Sequence, residues 1–132
     1  LADSVGVAVP NQVKKTFSLI KELAPTIPLR THLHNTRNTG LANAAAAIEA
    51  GVSIIDASTG GIGGCPFAPK ATGNIPMDDL LYMLDRSGIK SGVDLKNTVQ
   101  TSEWLENNVE HSVPAMVPKA GIFPENAEIN FQ

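Results

Sequence analysis

Two short stretches of this chain hold the side chains best suited to chemistry. The first is Thr31-His32-Leu33-His34-Asn35-Thr36-Arg37, which sets two imidazoles at alternate positions. The second is the glycine-rich block from Gly60 to Asn74, which surrounds the only cysteine, Cys65. On a strand, residues i and i+2 face the same side, with Cα atoms about 7 Å apart, so His32 and His34 point into one space. Such a pair offers two neighbouring ligand positions to one metal ion, or else two histidines satisfied by local hydrogen bonds at a strand end. Asn74 adds an amide oxygen, or simply turns the chain, which is the commoner work of asparagine. As a ligand it would join imidazole and oxygen donors, a mixture that favours Mg2+ or Mn2+ over structural zinc. Cys65 follows Gly60-Gly61-Ile62-Gly63-Gly64 and precedes Pro66. A thiol on such a mobile, partly exposed loop can have its pKa tuned for proton transfer. The two stretches together describe a metal-dependent site that handles a carbonyl substrate, and neither completes such a site.

Positioning these residues falls to an alternation of short β-rich runs and helical patterns. Leu1–Val7 reads as a strand. Pro10 suits the first turn of a helix, and Val13, Phe17, Ile20 and Leu23 make its apolar stripe. Leu29–His34 is the second strand, Leu41–Ala50 an alanine-rich helix, and Val52–Ala57 the third strand. Gly73–Ile75 is read as a very short fourth strand. Asp78-Asp79 opens a helix carrying Leu80, Leu81, Met83 and Leu84, and a last helix runs over about Leu95–Val109. The tail beyond Pro114 has no clear period. Strand and helix in regular alternation predict parallel β structure with right-handed crossovers. An open doubly wound sheet and a (β/α)8 barrel both fit this pattern. Asp3-Ser4, His32, His34, Asp56-Ala57-Ser58 and Asn74 all fall at or just beyond the C-terminal ends of strands, where barrel active sites are built. By length, about four units make half a barrel. Residues 1–90 are therefore expected to be half of a TIM barrel. Residues 91–132 are expected to be a C-terminal helix and extended tail packing on it.

Composition narrows the class. The chain has 132 residues, 42% hydrophobic and 17% charged, with a net charge of −3. That is enough for one domain with a core, and it leaves no basic footprint for nucleic acid or an anionic membrane. The apolar runs are too short to span a bilayer. A lone cysteine fits a reducing compartment, expected to be the cytoplasm, with a mitochondrion or other organelle as the alternative. The chain opens as a strand already under way, so it is expected to be a fragment cut in front of or inside a β/α unit. The glycine spacing matches neither G-x-G-x-x-G nor a phosphate-binding loop ending in Lys-Ser/Thr. Arg37 is read as a carboxylate-binding or loop-solvating residue. Trp104 and His111 are read as surface or packing residues of the last helix, and Ala44–Ala47 as a close helix-packing face.

Thr31 to Asn43 and Ser58 to Asn74 resemble the two signature regions of the hydroxymethylglutaryl-CoA lyase family. Leu1-Ala-Asp-Ser-Val-Gly6 is similar to that family's fifth barrel strand, and Met77–Leu84 to its eighth helix, which implies that residues 1–90 are the C-terminal half of a (β/α)8 TIM barrel, about units 5–8. The related isopropylmalate, homocitrate and citramalate synthases share the His-x-His strand but lack the Gly-Gly-Cys-Pro loop. The resemblance implies that His32, His34 and Asn74 ligate a divalent cation, Mg2+ or Mn2+, and that Cys65 is catalytic. It also implies that Asp3, Ser4, Asn35, Gly63 and Gly64 are substrate-binding or supporting positions. The implied reaction is retro-Claisen cleavage of an acyl-CoA substrate to acetyl-CoA and acetoacetate. The family's aspartate ligand, with its adjoining arginine and glutamate, belongs to the first barrel units. The missing N-terminal half is thus the expected partner, the fragment alone is expected to be inactive, and a homo-oligomer is an open possibility. Asn35 stands where the family often has Asp, and Phe67 where it often has Tyr. Asn35 cannot serve as a base. A related lyase or acyltransferase of the same barrel superfamily, or a non-catalytic fragment, is the alternative.

Overall fold

The computed structural model describes residues 1–65, 68–109 and 112–124. Two compact units form: Leu1–Ala57 with Gly63–Ile75, and Ser58–Ile62 with the chain from Pro76 onward.

The first unit is built on three parallel strands in the order β1 (Ala2–Asp3), β2 (Arg30–Leu33) and β3 (Ile54–Asp56). Its register pairs Ala2 with His32, Arg30 with Ile54, Thr31 with Ile55 and His32 with Asp56. Parallel neighbours need crossovers, and helices α1 (Pro10–Leu23) and α2 (Gly40–Glu49) supply them. Pro10 occupies the first turn of α1, where no amide hydrogen is required. Val13 and Phe17 of α1, Ala47 of α2, Leu29 and Val52 form the core, with Ile55 packed against it. The small side chains of Ala44 and Ala47, both fully buried, let α2 lie close to its neighbours. Gly40 opens α2 because nothing larger fits: a Cβ there would collide with Ile75 Cγ2.

The alternation in β2 is what serves the site. Thr31 and Leu33 are buried at 0% and 1% exposure, while Arg30, His32 and His34 lie on the opposite face. β1 and β3 are the outer strands of this sheet, and Leu1 and Ile54 are exposed.

The glycine-rich block differs from expectation. It folds as an antiparallel hairpin, β4 (Gly64–Cys65) with β5 (Ala68–Thr72), pairing Gly64 with Thr72 and Cys65 with Ala68 across a bulge. Gly73–Ile75 does not form a regular strand, although the next residue, Pro76, makes an isolated parallel bridge to Ser58. Asn74 makes an isolated antiparallel bridge to His34, and the Ile75 amide donates to Leu33 O at 3.2 Å. The returning leg of the hairpin thus runs against the end of β2, and its backbone donors are satisfied there.

In the second unit, α3 (Met77–Arg86), α4 (Leu95–Asn108) and the short α5 (Val117–Ala120) enclose Leu81, Leu95, Val99 and Val117. Helix α5 lies in the tail, where no period is visible in the sequence. It is held by the Asp79 carboxylate, which accepts from the amides of Met116 and Val117, and by Lys119 Nζ donating to Val113 O. Asp78 is fully buried. Its Oδ2 accepts from the Gly60 amide at 2.7 Å and its Oδ1 from Ser102 Oγ at 2.6 Å. Gly60, at φ 69°, leaves no room for a side chain, since a Cβ would sit 2.9 Å from Val113 Cγ1. No helix among the described residues is long and apolar enough to cross a membrane.

Removing the Asp78 carboxylate strands two donors in a dry site. Asp78→Ala should lower unfolding free energy by about 3 kcal/mol, and Ser102→Ala by about 1 kcal/mol. Urea unfolding of the two variants measures this, and equal small losses would contradict the anchoring role.

Candidate metal-binding and catalytic site

At the C-terminal end of β2 the two imidazoles converge as their spacing predicts. His32 Nε2 and His34 Nε2 are 3.3 Å apart, with ring centroids at 5.2 Å and planes inclined by 70°. His34 is buried at 3% exposure, and its Nδ1 has no hydrogen-bond partner among the described residues. Burial lowers its pKa from the ordinary value, and the neighbouring His32 lowers it further. The Asp3 carboxylate and the Gly73 carbonyl oppose the shift without cancelling it. His34 is therefore neutral at neutral pH, the form in which imidazole can ligate a metal.

The pair suits a divalent cation. Two adjacent ligands about 2.1–2.2 Å from one ion stand about 3.0–3.1 Å apart, so small ring rotations bring both Nε2 atoms into place. Asn74, the bridge partner of His34, is the nearest oxygen-bearing candidate in the backbone pairing. Its amide packs against Gly63, where a Cβ would lie 2.8 Å from Asn74 Nδ2. Gly63 O also accepts from the Gly73 amide at 2.8 Å, closing the base of the hairpin. Among the described residues no three His, Cys, Asp or Glu side chains gather as a metal site. The donor set on view is two imidazoles with an adjacent asparagine.

The remaining expected positions do other work or lie at the edge of the description. Asp3 accepts from the amides of Val7 and Ala8 at 3.1 and 2.9 Å, which shapes the turn into α1. Ser4 is exposed. Asn35 Oδ1 accepts from the Gly40 amide at 3.0 Å and so starts α2. Gly64 pairs with Thr72 in the hairpin. Cys65 ends β4, which puts the thiol-bearing residue on a hairpin instead of an irregular loop. Pro66, Phe67 and His111 lie outside the described residues. Arg37 braces the loop after β1, donating through Nη1 to Val5 O and Gly6 O. Trp104 is exposed on α4.

Asn43 and Arg30 were given no role by sequence, and Asp56 only a place at a strand end. Asn43 is fully buried on α2 and donates through Nδ2 to Ala8 O at 2.9 Å. Arg30 donates through Nε to Asp56 Oδ1 at 2.9 Å, and its Nη2 lies 2.7 Å from the same oxygen. Asp56 Oδ2 in turn lies 3.6 Å from His32 Nδ1. The signal for Arg30 was available: it precedes His32 by two residues and must share its face.

Parallel strands joined by helices, with imidazoles at a strand's C-terminal end, are the arrangement on which barrel active sites are built. The chain belongs to the HMGL-like family, which it matches over residues 1–105. It is 46% identical over 126 residues to the (R)-citramalyl-CoA lyase of Chloroflexus aurantiacus, covering 95% of this chain and 40% of that protein. It is 36% identical over 115 residues to a hydroxymethylglutaryl-CoA lyase of Bacillus subtilis, covering 87% and 38%. Its fold is similar to that of an HMG-CoA lyase from Acinetobacter baumannii in complex with coenzyme A and 3-methylmalate. That likeness has a TM-score of 0.89 at 43% identity and covers 98% of this chain and 43% of that one. The Bacillus subtilis HMG-CoA lyase structure gives a TM-score of 0.84 at 34% identity, covering 91% and 40%. The chain thus spans about two fifths of the length of the curated relatives it matches. The expected fold class, the C-terminal half of a (β/α)8 barrel, holds.

The buried imidazole has a consequence for stability. The folded pKa of His34 lies below the unfolded value of about 6.5, so the unfolded chain binds more protons between the two. Its contribution falls as pH drops from about 6.5 through the folded value. In urea unfolding between pH 7.5 and 5, His34→Gln should lose less stability on acidification than the unaltered protein. Parallel pH profiles would show that His34 is not held neutral.

Proposed function

We propose that this chain supplies the metal-holding end of a carbon–carbon lyase of the hydroxymethylglutaryl-CoA type. The substrate would be a 3-hydroxy-3-methyl acyl-CoA with a distal carboxylate, cleaved to acetyl-CoA and acetoacetate. The observation that carries this reading is the 3.3 Å approach of the His32 and His34 Nε2 atoms at the end of a parallel strand in an HMGL-like chain. His32, His34 and Asn74 would hold Mg2+ or Mn2+. A divalent cation bound there acidifies a coordinated hydroxyl and offsets carboxylate charge.

The residues of this chain then divide the remaining work. His34, neutral through burial, presents a lone pair and does not compete as an acid. Asn35 carries no titratable group, so the base that takes the hydroxyl proton is another residue. Loss of that proton drives scission of the C–C bond, whose electron pair passes to the α-carbon of the departing thioester as an enolate. Cys65 is assigned the proton that converts this enolate to acetyl-CoA, and the hairpin that carries it helps exclude water. The partner is the rest of the barrel, with the outer edge of β1 as one of its pairing surfaces.

The 46% identity to a citramalyl-CoA lyase favours a second substrate, citramalyl-CoA, which would yield acetyl-CoA and pyruvate. The complete protein should be assayed with both thioesters and Mg2+, measuring acetoacetate and pyruvate. Production of neither overturns the lyase reading, and the ratio of kcat/KM values chooses between substrates. Cys65→Ser should lower kcat by about 10²-fold or more while cation affinity is unchanged. The 132-residue chain alone should show no turnover.

A further inference from the structure

We infer that Asp56, held in place by Arg30, is a positioning residue that fixes the ring orientation and tautomer of His32. The inference rests on the reading that His32 and His34 share a cation, and adds the residues that prepare one of them for it.

The three side chains meet because of strand register. His32 and Asp56 are paired across β2 and β3, so they stand side by side on one face about 4.8 Å apart along the hydrogen-bonding direction. Arg30 lies two residues before His32 on that same face. Its guanidinium takes Asp56 Oδ1 with two nitrogens, Nε at 2.9 Å and Nη2 at 2.7 Å. Oδ2 is engaged more weakly, by Nε at 3.2 Å, and is turned toward His32 Nδ1 at 3.6 Å. That approach is about half an ångström longer than a hydrogen bond and closes with a small ring rotation.

Stability alone does not account for the pair. The Arg30 side chain is 64% exposed, and an exposed ion pair adds little to stability. Substrate binding does not account for it either. Arg30 precedes the imidazoles along β2, toward the N-terminal end of the strand, and its inner nitrogens are already committed to Asp56. What the arrangement does is direct a carboxylate oxygen at one imidazole nitrogen. A carboxylate facing Nδ1 favours the Nδ1–H tautomer, which leaves the Nε2 lone pair free. Nε2 is the atom that faces His34. In the metal-free protein the 3.3 Å contact then runs from His34 Nε2–H to His32 Nε2.

The test uses the complete protein in three forms: unaltered, Asp56→Ala and Arg30→Ala, with Arg30→Lys as the conservative variant. Two-bond 1H–15N correlation spectra of the metal-free protein read the His32 tautomer. Calorimetry with Mn2+ alone reads cation affinity, and thermal unfolding checks the fold. The unaltered protein should show Nδ1–H at His32, and Asp56→Ala should shift it toward Nε2–H. Asp56→Ala should weaken Mn2+ binding by about 10- to 100-fold, the scale for losing a carboxylate behind a metal-binding histidine. Arg30→Ala should weaken it less, and Arg30→Lys less again. An Nε2–H His32 in the unaltered protein, or an Asp56→Ala protein with unchanged tautomer and Mn2+ affinity, overturns the inference. If Asp56→Ala fails to fold, an Arg30→Ala protein with unaltered tautomer and affinity does so instead. If the unaltered protein binds no Mn2+, the shared-cation reading fails, and the tautomer alone decides the role of Asp56.

Discussion

The pleat of β2 is the constraint on which the first unit depends. Thr31 and Leu33 are sealed on one face of the strand, so Arg30, His32 and His34 are committed to the other. A slip of one residue would drive imidazoles and a guanidinium into the space that Leu33 fills and would expose Leu33. The hydrophobic core therefore sets the chemistry as well as the stability. It orders the polar face of β2 as arginine, histidine, histidine, running toward the C-terminal end of the strand.

A second dependence is on close backbone approach. The hairpin leg that carries Asn74 returns antiparallel to the end of β2, and its pairing with His34 sets an asparagine beside the imidazoles. Gly63 makes room for the Asn74 amide, and Gly40 makes room for Ile75 in the next residue pair along the chain. Neither position tolerates a Cβ without displacement of its neighbour. These glycines act less as hinges than as spaces. Within the block, Gly64 and Cys65 are paired antiparallel with Thr72 and Ala68.

Electrostatics divides the polar residues by task. Asp3, Asn35 and Arg37 spend their hydrogen bonds on loops and helix starts, although sequence set the first two among substrate-binding or supporting positions. Asp78 spends both of its oxygens on Gly60 and Ser102 in the second unit. His34 is desolvated into neutrality, and Asp56 lies against the other imidazole. Each carboxylate among these is satisfied by donors from its own unit, as buried or half-buried charge requires.

What the sequence determined by itself was the local pattern and its chemistry. Apolar spacing located α1 and α4, and the alternation of β2 predicted that His32 and His34 share a face. These signals are legible because helix and strand periods are properties of neighbouring residues. The tertiary structure decided where distant segments meet. It converted the expected fourth strand at Gly73–Ile75 into an antiparallel return, because Leu33 O and Asn35 N at the end of β2 take up the partners that leg offers. It placed a short helix in the aperiodic tail, where Asp79 supplies the donors' partner from another helix. It also brought Asp56 beside His32 through strand register. Contacts of this kind depend on which residues, far apart in the chain, are brought into hydrogen-bonding reach, and no local period records them.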